Sequence, residues 1–138
     1  MRIMAIDYGD AHTGIAISDP TGFLAGFTTT INAYRPEVVA DQVESLAREH
    51  SVEELVLGYP KNMDGSLGPR AEKAQAMGEL LKTVTGLPVT LWDERRTTID
   101  AHQILMGAGK NAKKRKKTVD AVAATLILEG YLTYKKSR

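Results

Sequence analysis

Short apolar runs and longer periodic runs alternate along this chain, and together they predict five strands and four helices. Mostly apolar runs favour strands at 2–7, 13–18, 24–31, 55–57 and 88–92. Apolar residues that recur every three or four positions predict helices at 36–50, 69–86, 97–107 and 118–134. Pro36 and Pro69 suit the first turn of a helix, and Gly86 suits the end of one.

The order of these elements predicts a mixed α/β sheet. The first three strands follow one another through short turns and form an antiparallel meander. The later strands alternate with helices, so they are expected to run parallel, with helices on the faces of the sheet. At 138 residues and without an internal boundary, the chain is expected to form a single domain over 1–138.

Carboxylates stand at the ends of three of these elements. Asp7 closes the first strand, Asp93 and Glu94 follow the fifth, and Asp120 opens the apolar stretch of the last helix. The carboxyl ends of parallel strands share one edge of a sheet, so these side chains are expected to converge there. Buried charges cost several kcal/mol each unless they are compensated, and a divalent cation is the usual compensation. The sequence therefore predicts a metal site at this edge.

Each carboxylate also has a simpler interpretation when it is taken alone. Asp120 at the start of a helix is equally well a cap or a partner of the helix dipole. Asp7 before Tyr8-Gly9 could belong to a turn, and Asp93-Glu94-Arg95 could be a cluster of surface ion pairs. All three at one edge is a much less frequent coincidence, which favours the metal site.

Charge is distributed unevenly along the chain and points to phosphate as a partner. Residues 1–109 contain nine Lys/Arg against fifteen Asp/Glu, whereas residues 110–138 contain nine against two. The basic run of the second segment is either a solvated, mobile loop or an arm that contacts nucleic-acid phosphates. Candidate nucleic-acid contacts are Lys61, Asn62, Arg70, Arg95, Arg96, Lys113, Lys114, Arg115, Lys116 and Lys117.

Composition excludes several other kinds of site. The chain has no cysteine, so disulfides and thiolate chemistry are impossible. An acid already at position 7 and the lack of an 18-residue apolar span predict a cytoplasmic protein without a membrane segment. His12, His50 and His102 are scattered and are not expected to be catalytic, and few aromatic residues are present for stacking on bases.

Four motifs resemble the bacterial YqgF/RuvX family nearly from end to end. They are Asp7-Tyr8-Gly9 with Gly14–Asp19, Gly58-Tyr59-Pro60 with Asn62–Gly65, Trp92–Thr98, and Asp120 with Ala123-Ala124. The resemblance implies an RNase H-like fold related to the RuvC Holliday-junction resolvases. It also implies a nuclease that matures the 5′ end of pre-16S ribosomal RNA, with nucleic acid and ribosomal assembly particles as partners. One departure is His12, where many relatives carry arginine.

By matching motifs, the resemblance assigns the metal ligands to Asp7, Asp93, Glu94 and Asp120. Asp7, Glu94 and Asp120 would be catalytic, with Glu94 preferred over Asp93 as the direct ligand. Phosphodiester hydrolysis is well served by two Mg²⁺ or Mn²⁺ ions about 4 Å apart, held by a set of carboxylates such as this. Arg95 and Arg96 would either clamp the scissile phosphate or pair with these acids.

Other functions stay open on the sequence alone. A Holliday-junction resolvase needs two sites in a dimer, and the chain could be a monomer or a non-covalent homodimer. A nucleic-acid-binding module that keeps the fold without catalysis is a further alternative. A sugar-kinase-like ATPase shares the Asp-x-Gly hairpin but needs two such domains, and this chain supplies one.

Overall fold

A computed structural model of the chain describes residues 1–21, 25–60, 64–93 and 112–136, and within the last helix it describes the side chains of 122–135. Five strands and three helices lie in these ranges. In chain order they are β1 (Arg2–Asp7), β2 (His12–Ser18), β3 (Ala25–Asn32), α1 (Pro36–Glu49), β4 (Val52–Tyr59), α2 (Pro69–Thr85), β5 (Val89–Asp93) and α3 (Ala112–Lys136).

The five strands form one sheet in the order β3-β2-β1-β4-β5. β1 lies at the centre, antiparallel to β2 and parallel to β4, and β5 extends the sheet parallel to β4. The predicted meander followed by parallel strands is confirmed. β4 is longer than the predicted 55–57, because hydrogen bonding to β1 and β5 on its two sides keeps the flanking residues extended.

Helices α1 and α2 cover one face of the sheet. Met4 and Ile6 of β1 and Leu55 and Leu57 of β4 are fully buried in the core beneath these helices. Along a strand, alternate side chains point to opposite faces, so the intervening residues must be covered from the other side. Two helices cover this face of the sheet.

Helix α3 covers the opposite face. Ile3 and Ala5 of β1 and Val56 of β4 lie in a second core with the helix residues Ala124 and Ile127. Placement of helices on both faces, as predicted, is therefore confirmed. Within the described ranges, no helix combines the length and apolar character that a bilayer crossing requires.

The last helix starts earlier than the sequence pattern predicted. It begins at Ala112 rather than at 118, so residues 113–117 belong to the helix instead of a separating loop. Alanine, lysine and arginine are good helix formers, and no glycine or proline interrupts the stretch from Ala112 into the packed apolar segment. The helix predicted at 97–107 lies outside the described residues.

Helix α3 is attached to β4 through a buried carboxylate. Glu54, about 9% exposed, accepts a hydrogen bond from the Tyr131 hydroxyl and another from Lys135 Nζ at 3.0 Å. Burial, then the hydrogen bond to Glu54, raises the pKa of Tyr131, and the hydrogen bond to Glu54 raises the pKa of Lys135. Both groups therefore hold their protons more tightly in the folded protein.

We expect Glu54→Gln to lower the free energy of unfolding by about 2 kcal/mol at neutral pH, because the buried Tyr131 hydroxyl and the partly exposed Lys135 ammonium lose a charged acceptor. The raised pKa values contribute stability below the ordinary values of 10.0 for Tyr131 and 10.5 for Lys135, and that contribution is lost as pH rises through the folded-state values. The difference between wild type and variant should therefore shrink above about pH 10. Urea denaturation at neutral and alkaline pH measures it.

Glu53→Gln is the matched control, since Glu53 is the exposed neighbour on the same strand. We expect it to change stability by less than about 0.5 kcal/mol. A Glu54→Gln deficit that stays constant from pH 7 to pH 11 would contradict the role given to these two protons.

Candidate active site at the carboxyl edge of the sheet

Asp7 is the last residue of the central strand and lies between two glycine positions. It pairs with Gly14 of β2 on one side. On the other side Ile6 pairs with Leu57, so the next residue of β4, Gly58, continues that register beside Asp7. Because glycine has no side chain, the half-buried Asp7 carboxylate has no strand side chain beside it in either direction. The two glycines keep strand side chains out of the row on both sides of Asp7.

The strand period places Asp7 on the face that α3 covers. Ile3 and Ala5, two and four residues earlier, pack in the α3 core. Gly58 pairs in turn with Trp92 of β5, which packs against the same core. One row across the sheet therefore runs Gly14, Asp7, Gly58, Trp92 on the α3 face.

Asp93 lies on the other face. It pairs with Tyr59, a residue of the core beneath α1 and α2, and it follows Trp92 by one residue. A one-residue step along a strand reverses the direction of the side chain. Asp7 and Asp93 therefore lie at strand ends but on opposite faces of the sheet. Glu94 lies outside the described residues.

Asp120 belongs to α3, one helical turn before Ala124. Ala124 is fully buried against the sheet, and residues four apart share a helix face. The backbone position of Asp120 is therefore on the sheet-facing side of α3. Within the described ranges, no three Asp, Glu or His side chains are grouped closely enough to bind a metal ion.

The proposed nucleic-acid contacts are distributed over several parts of the chain. Arg70 is exposed in the first turn of α2, beside the helix N-terminus. The residues Lys113, Lys114, Arg115, Lys116 and Lys117 lie in the first turns of α3. Lys61, Asn62, Arg95 and Arg96 lie outside the described residues.

His12 lies near Asp7, although the sequence pattern gave it no role. It is two residues from Gly14 on β2, and a strand period of two places it on the α3 face with Asp7. Its Nδ1 is 2.7 Å from the Oδ1 of Asn32 on β3. An amide oxygen only accepts, so Nδ1 is the donor, and Nε2 is left as the atom that can meet a ligand. Only the pairing of β2 with β3 reveals this contact.

Behind the hairpin, on the α1 and α2 face, lies a separate cleft of about 290 Å³. Tyr8, Tyr34 and Lys73 line it, and Lys73 Nζ is 3.1 Å from the carboxylate of Asp10. Burial, with the charge of Asp10, raises the pKa of Tyr8. The Tyr8 side chain is directed away from the face that carries Asp7, so this cleft is separate from the candidate site.

The architecture is that of the RNase H-like class. RuvC of Thermus thermophilus, solved in complex with a Holliday junction substrate, superposes with a TM-score of 0.65 over 99% of this chain and 96% of that chain, at 13% identity. A ROK hexokinase from Thermus thermophilus matches 73% of this chain with a TM-score of 0.52, but only 38% of its own length and at 22% identity. At these identities both likenesses concern the fold alone.

Sequence comparison defines the family. A family profile described as "RuvX: Holliday junction resolvase" matches residues 1–134, and the chain belongs to that family. A relative from Halothermothrix orenii, named "Putative pre-16S rRNA nuclease", is 46% identical over 134 residues, covering 97% of this chain and 96% of the relative. The family expected from the four motifs is thereby confirmed.

We expect neutral His12 to carry its proton on Nδ1 rather than on the Nε2 that free imidazole favours, because Asn32 Oδ1 accepts that proton. Asn32→Ala should return His12 to the Nε2-protonated form. Imidazole ¹⁵N NMR distinguishes the two tautomers. His50, whose ring lies 4.6 Å from that of Phe27, is the internal reference and should not change. An Nε2-protonated His12 in the wild type would contradict the assignment.

Proposed function

We propose that this protein is a metal-dependent nuclease that hydrolyses phosphodiester bonds in the maturation of the 5′ end of pre-16S ribosomal RNA. The observation that carries the proposal is the position of Asp7. It ends the central strand of an RNase H-like sheet, on the face covered by α3, with glycine positions on both sides. The family membership and the name of the Halothermothrix orenii relative support the choice of reaction and substrate.

The chemistry of the carboxylate edge fits Mg²⁺ or Mn²⁺. Hard divalent cations take oxygen ligands and keep several positions for water and phosphate oxygens, which needs few protein ligands and open space. Asp7 supplies the oxygen ligand, and the glycine positions beside it supply the space. When bound, two such ions would activate a water molecule and neutralise the charge that develops on the phosphate and the leaving oxygen.

Helix α3 is proposed to bring Asp120 to Asp7. Tyr131 is hydrogen-bonded to Glu54, four residues before Gly58 on β4. Four strand residues span about 13 Å, and the eleven helix residues from Asp120 to Tyr131 span about 16 Å. If α3 runs antiparallel to β4 from its contact at Glu54, the two lengths match, and Asp120 lies over the sheet close to Gly58.

Glu94 is proposed as the ligand from the end of β5, in preference to Asp93. Asp93 pairs with Tyr59 on the α1 and α2 face, whereas Trp92 lies on the α3 face. By this alternation Asp93 is on the face opposite Asp7, which makes it the weaker candidate of the two. Asp7, Glu94 and Asp120 would then hold the ions, and Asp93 would act from behind the site by supporting the strand end.

The basic residues are proposed to bind the backbone of the nucleic acid. Arg70 lies in the first turn of α2, where the N-terminal end of the helix favours anions. Residues 113–117 lie in the first turns of α3, ahead of Asp120. Lys61, Asn62, Arg95 and Arg96 complete the proposed contacts. Phosphate contacts hold the strand without reading its sequence, so specificity for a cleavage position would come from elsewhere, such as an assembling ribosomal particle.

The domain, assembly and location follow as part of the same proposal. Residues 1–138 form a single nuclease domain, acting as a monomer or a non-covalent homodimer in the cytoplasm. A second candidate function is cleavage of four-way DNA junctions, which the family description and the RuvC fold match favour. Junction cleavage would require two copies, and sedimentation of the active species decides between the two arrangements.

Asp7→Asn should abolish metal-dependent cleavage, by at least a hundredfold, while binding of the nucleic acid stays equal or becomes tighter because a negative charge is removed. The assay uses a pre-16S 5′-leader RNA and a four-way DNA junction, each with Mg²⁺ and with Mn²⁺. Asp41→Asn, an exposed aspartate on α1, is the control and should cleave normally. Undiminished cleavage by Asp7→Asn would remove Asp7 from the mechanism.

Glu94→Gln should lose both cleavage and Mn²⁺ affinity, whereas Asp93→Asn should keep measurable Mn²⁺ affinity. The two variants remove the same charge from adjacent positions, so each controls for the other. Calorimetric titration with Mn²⁺, alongside the cleavage assay, separates metal binding from chemistry. Equal losses in both variants would count against the alternation argument, and a loss only in Asp93→Asn would reverse it.

A further inference from the structure

The structure gathers three aromatic side chains at the end of β5. The chain has eight aromatic residues, and its single tryptophan, Trp92, meets two of its five tyrosines here. Trp92 lies 5.8 Å from Tyr131 and 5.7 Å from Tyr134, ring centre to ring centre, both in edge-to-face arrangements. The two tyrosine rings are 6.4 Å apart. Their spacing of three residues on α3 places them on one side of the helix.

These rings line a cleft of about 280 Å³ at the free side of β5, called the aromatic cleft below. Its walls are Thr90, Leu91, Trp92, Asp93, Tyr131 and Tyr134. Tyr134 is 44% exposed and Leu91 38% exposed, so the cleft opens to solvent. It is too small for most drug-sized ligands but large enough for one flat ring system. A hydroxyl and a carboxylate stand among the apolar walls.

The walls of the aromatic cleft are held by contacts of their own. A Cβ on Gly130 would come within 3.3 Å of the Trp92 ring, so glycine there lets the indole lie directly against α3. Tyr131 is fixed by its hydrogen bond to Glu54, which Lys135 also contacts. Two of the three rings are therefore positioned before any ligand arrives, which reduces the entropy lost on binding.

The strand register places the aromatic cleft close to the candidate active site. Trp92 pairs with Gly58, which lies beside Asp7 in the next strand, so two strand spacings separate the backbones of Trp92 and Asp7. That distance is about 10 Å, or roughly three stacked nucleotide steps. Asp93, which lines the cleft, directly precedes the proposed ligand Glu94.

We infer that the aromatic cleft binds one unstacked nucleobase of the RNA strand whose phosphate lies at Asp7. Aromatic rings accept any base face, and the aromatic cleft presents three of them from β5 and α3. The site rests on the proposed nuclease function for its biological ligand. It runs against the expectation that so few aromatic residues would leave little stacking on bases, and the titration below decides between the two.

Fluorescence of Trp92 tests the inference, because the chain contains no other tryptophan. The wild-type protein is titrated, without divalent metal so that nothing is cleaved, with a short single-stranded RNA and with an abasic strand of the same length and charge. We expect saturable quenching by the RNA and none by the abasic strand at equal occupancy, with occupancy measured by anisotropy of a dye on the strand. Equal signals from both strands, or no quenching by either at full occupancy, would overturn the inference.

A variant series assigns the binding to the aromatic cleft itself. Tyr134→Ala should weaken binding of the RNA about tenfold and leave binding of the abasic strand unchanged, whereas Tyr134→Phe should bind like wild type. Tyr34→Ala is the matched control, since Tyr34 is 81% exposed and lines the separate cleft beneath α1 and α2. A tenfold loss for the abasic strand as well, or an equal loss with Tyr34→Ala, would overturn the assignment.

The experiment separates this inference from the nuclease proposal. Binding is measured without cleavage, so base-dependent quenching by a protein that cuts no substrate would leave the aromatic cleft intact and remove only the enzymatic function. Cleavage that depends on Asp7, in a protein that shows no base-dependent quenching, would support the nuclease function and remove the aromatic cleft as a base-binding site.

Discussion

The pairing of β1 at the centre of the sheet is the constraint on which the rest of the molecule depends. Its antiparallel register with β2 and its parallel register with β4 bring Gly14 and Gly58 to the two sides of Asp7. The two-residue period then commits Ile3 and Ala5 to the α3 core together with Asp7. A slip of one residue would exchange the two faces of the strand, moving Ile3 and Ala5 out of the α3 core and directing Asp7 beneath α1 and α2. Burial of the core therefore also holds the carboxylate in place.

Helix α3 joins the core, the candidate site and the aromatic cleft in one rigid element. Its middle buries Ala124 and Ile127 against the sheet, its first turns carry the basic residues and Asp120, and its last turns carry Tyr131 and Tyr134. The Glu54 carboxylate fixes the last turns to β4. The 25 residues of α3 span about 37 Å. Contacts at the end of this helix therefore also fix where its beginning lies along the sheet.

Features that this chain shares with its family and features of its own meet at the same edge. Asp7 ends the central strand there, and Glu94 and Asp120 are proposed to join it. The pair of His12 and Asn32 lies on the neighbouring strands β2 and β3. The amide oxygen of Asn32 holds Nδ1 of the imidazole, so Nε2 is the nitrogen that can meet a ligand.

Sequence alone determined the element types, the mixed sheet with helices on both faces, the family, and the strand end occupied by Asp7, because apolar periodicity and local motifs encode these features within a few residues. It placed the start of the last helix at 118, since a run of charges looks like a loop, whereas continuity with a packed helix extends it back to Ala112. Tertiary structure alone decided that Asp7 and Asp93 occupy opposite faces, that His12 meets Asn32, and that Trp92 meets Tyr131 and Tyr134. Those relations join residues 20 to 86 positions apart, and only strand register and helix packing fix how such residues are placed relative to one another.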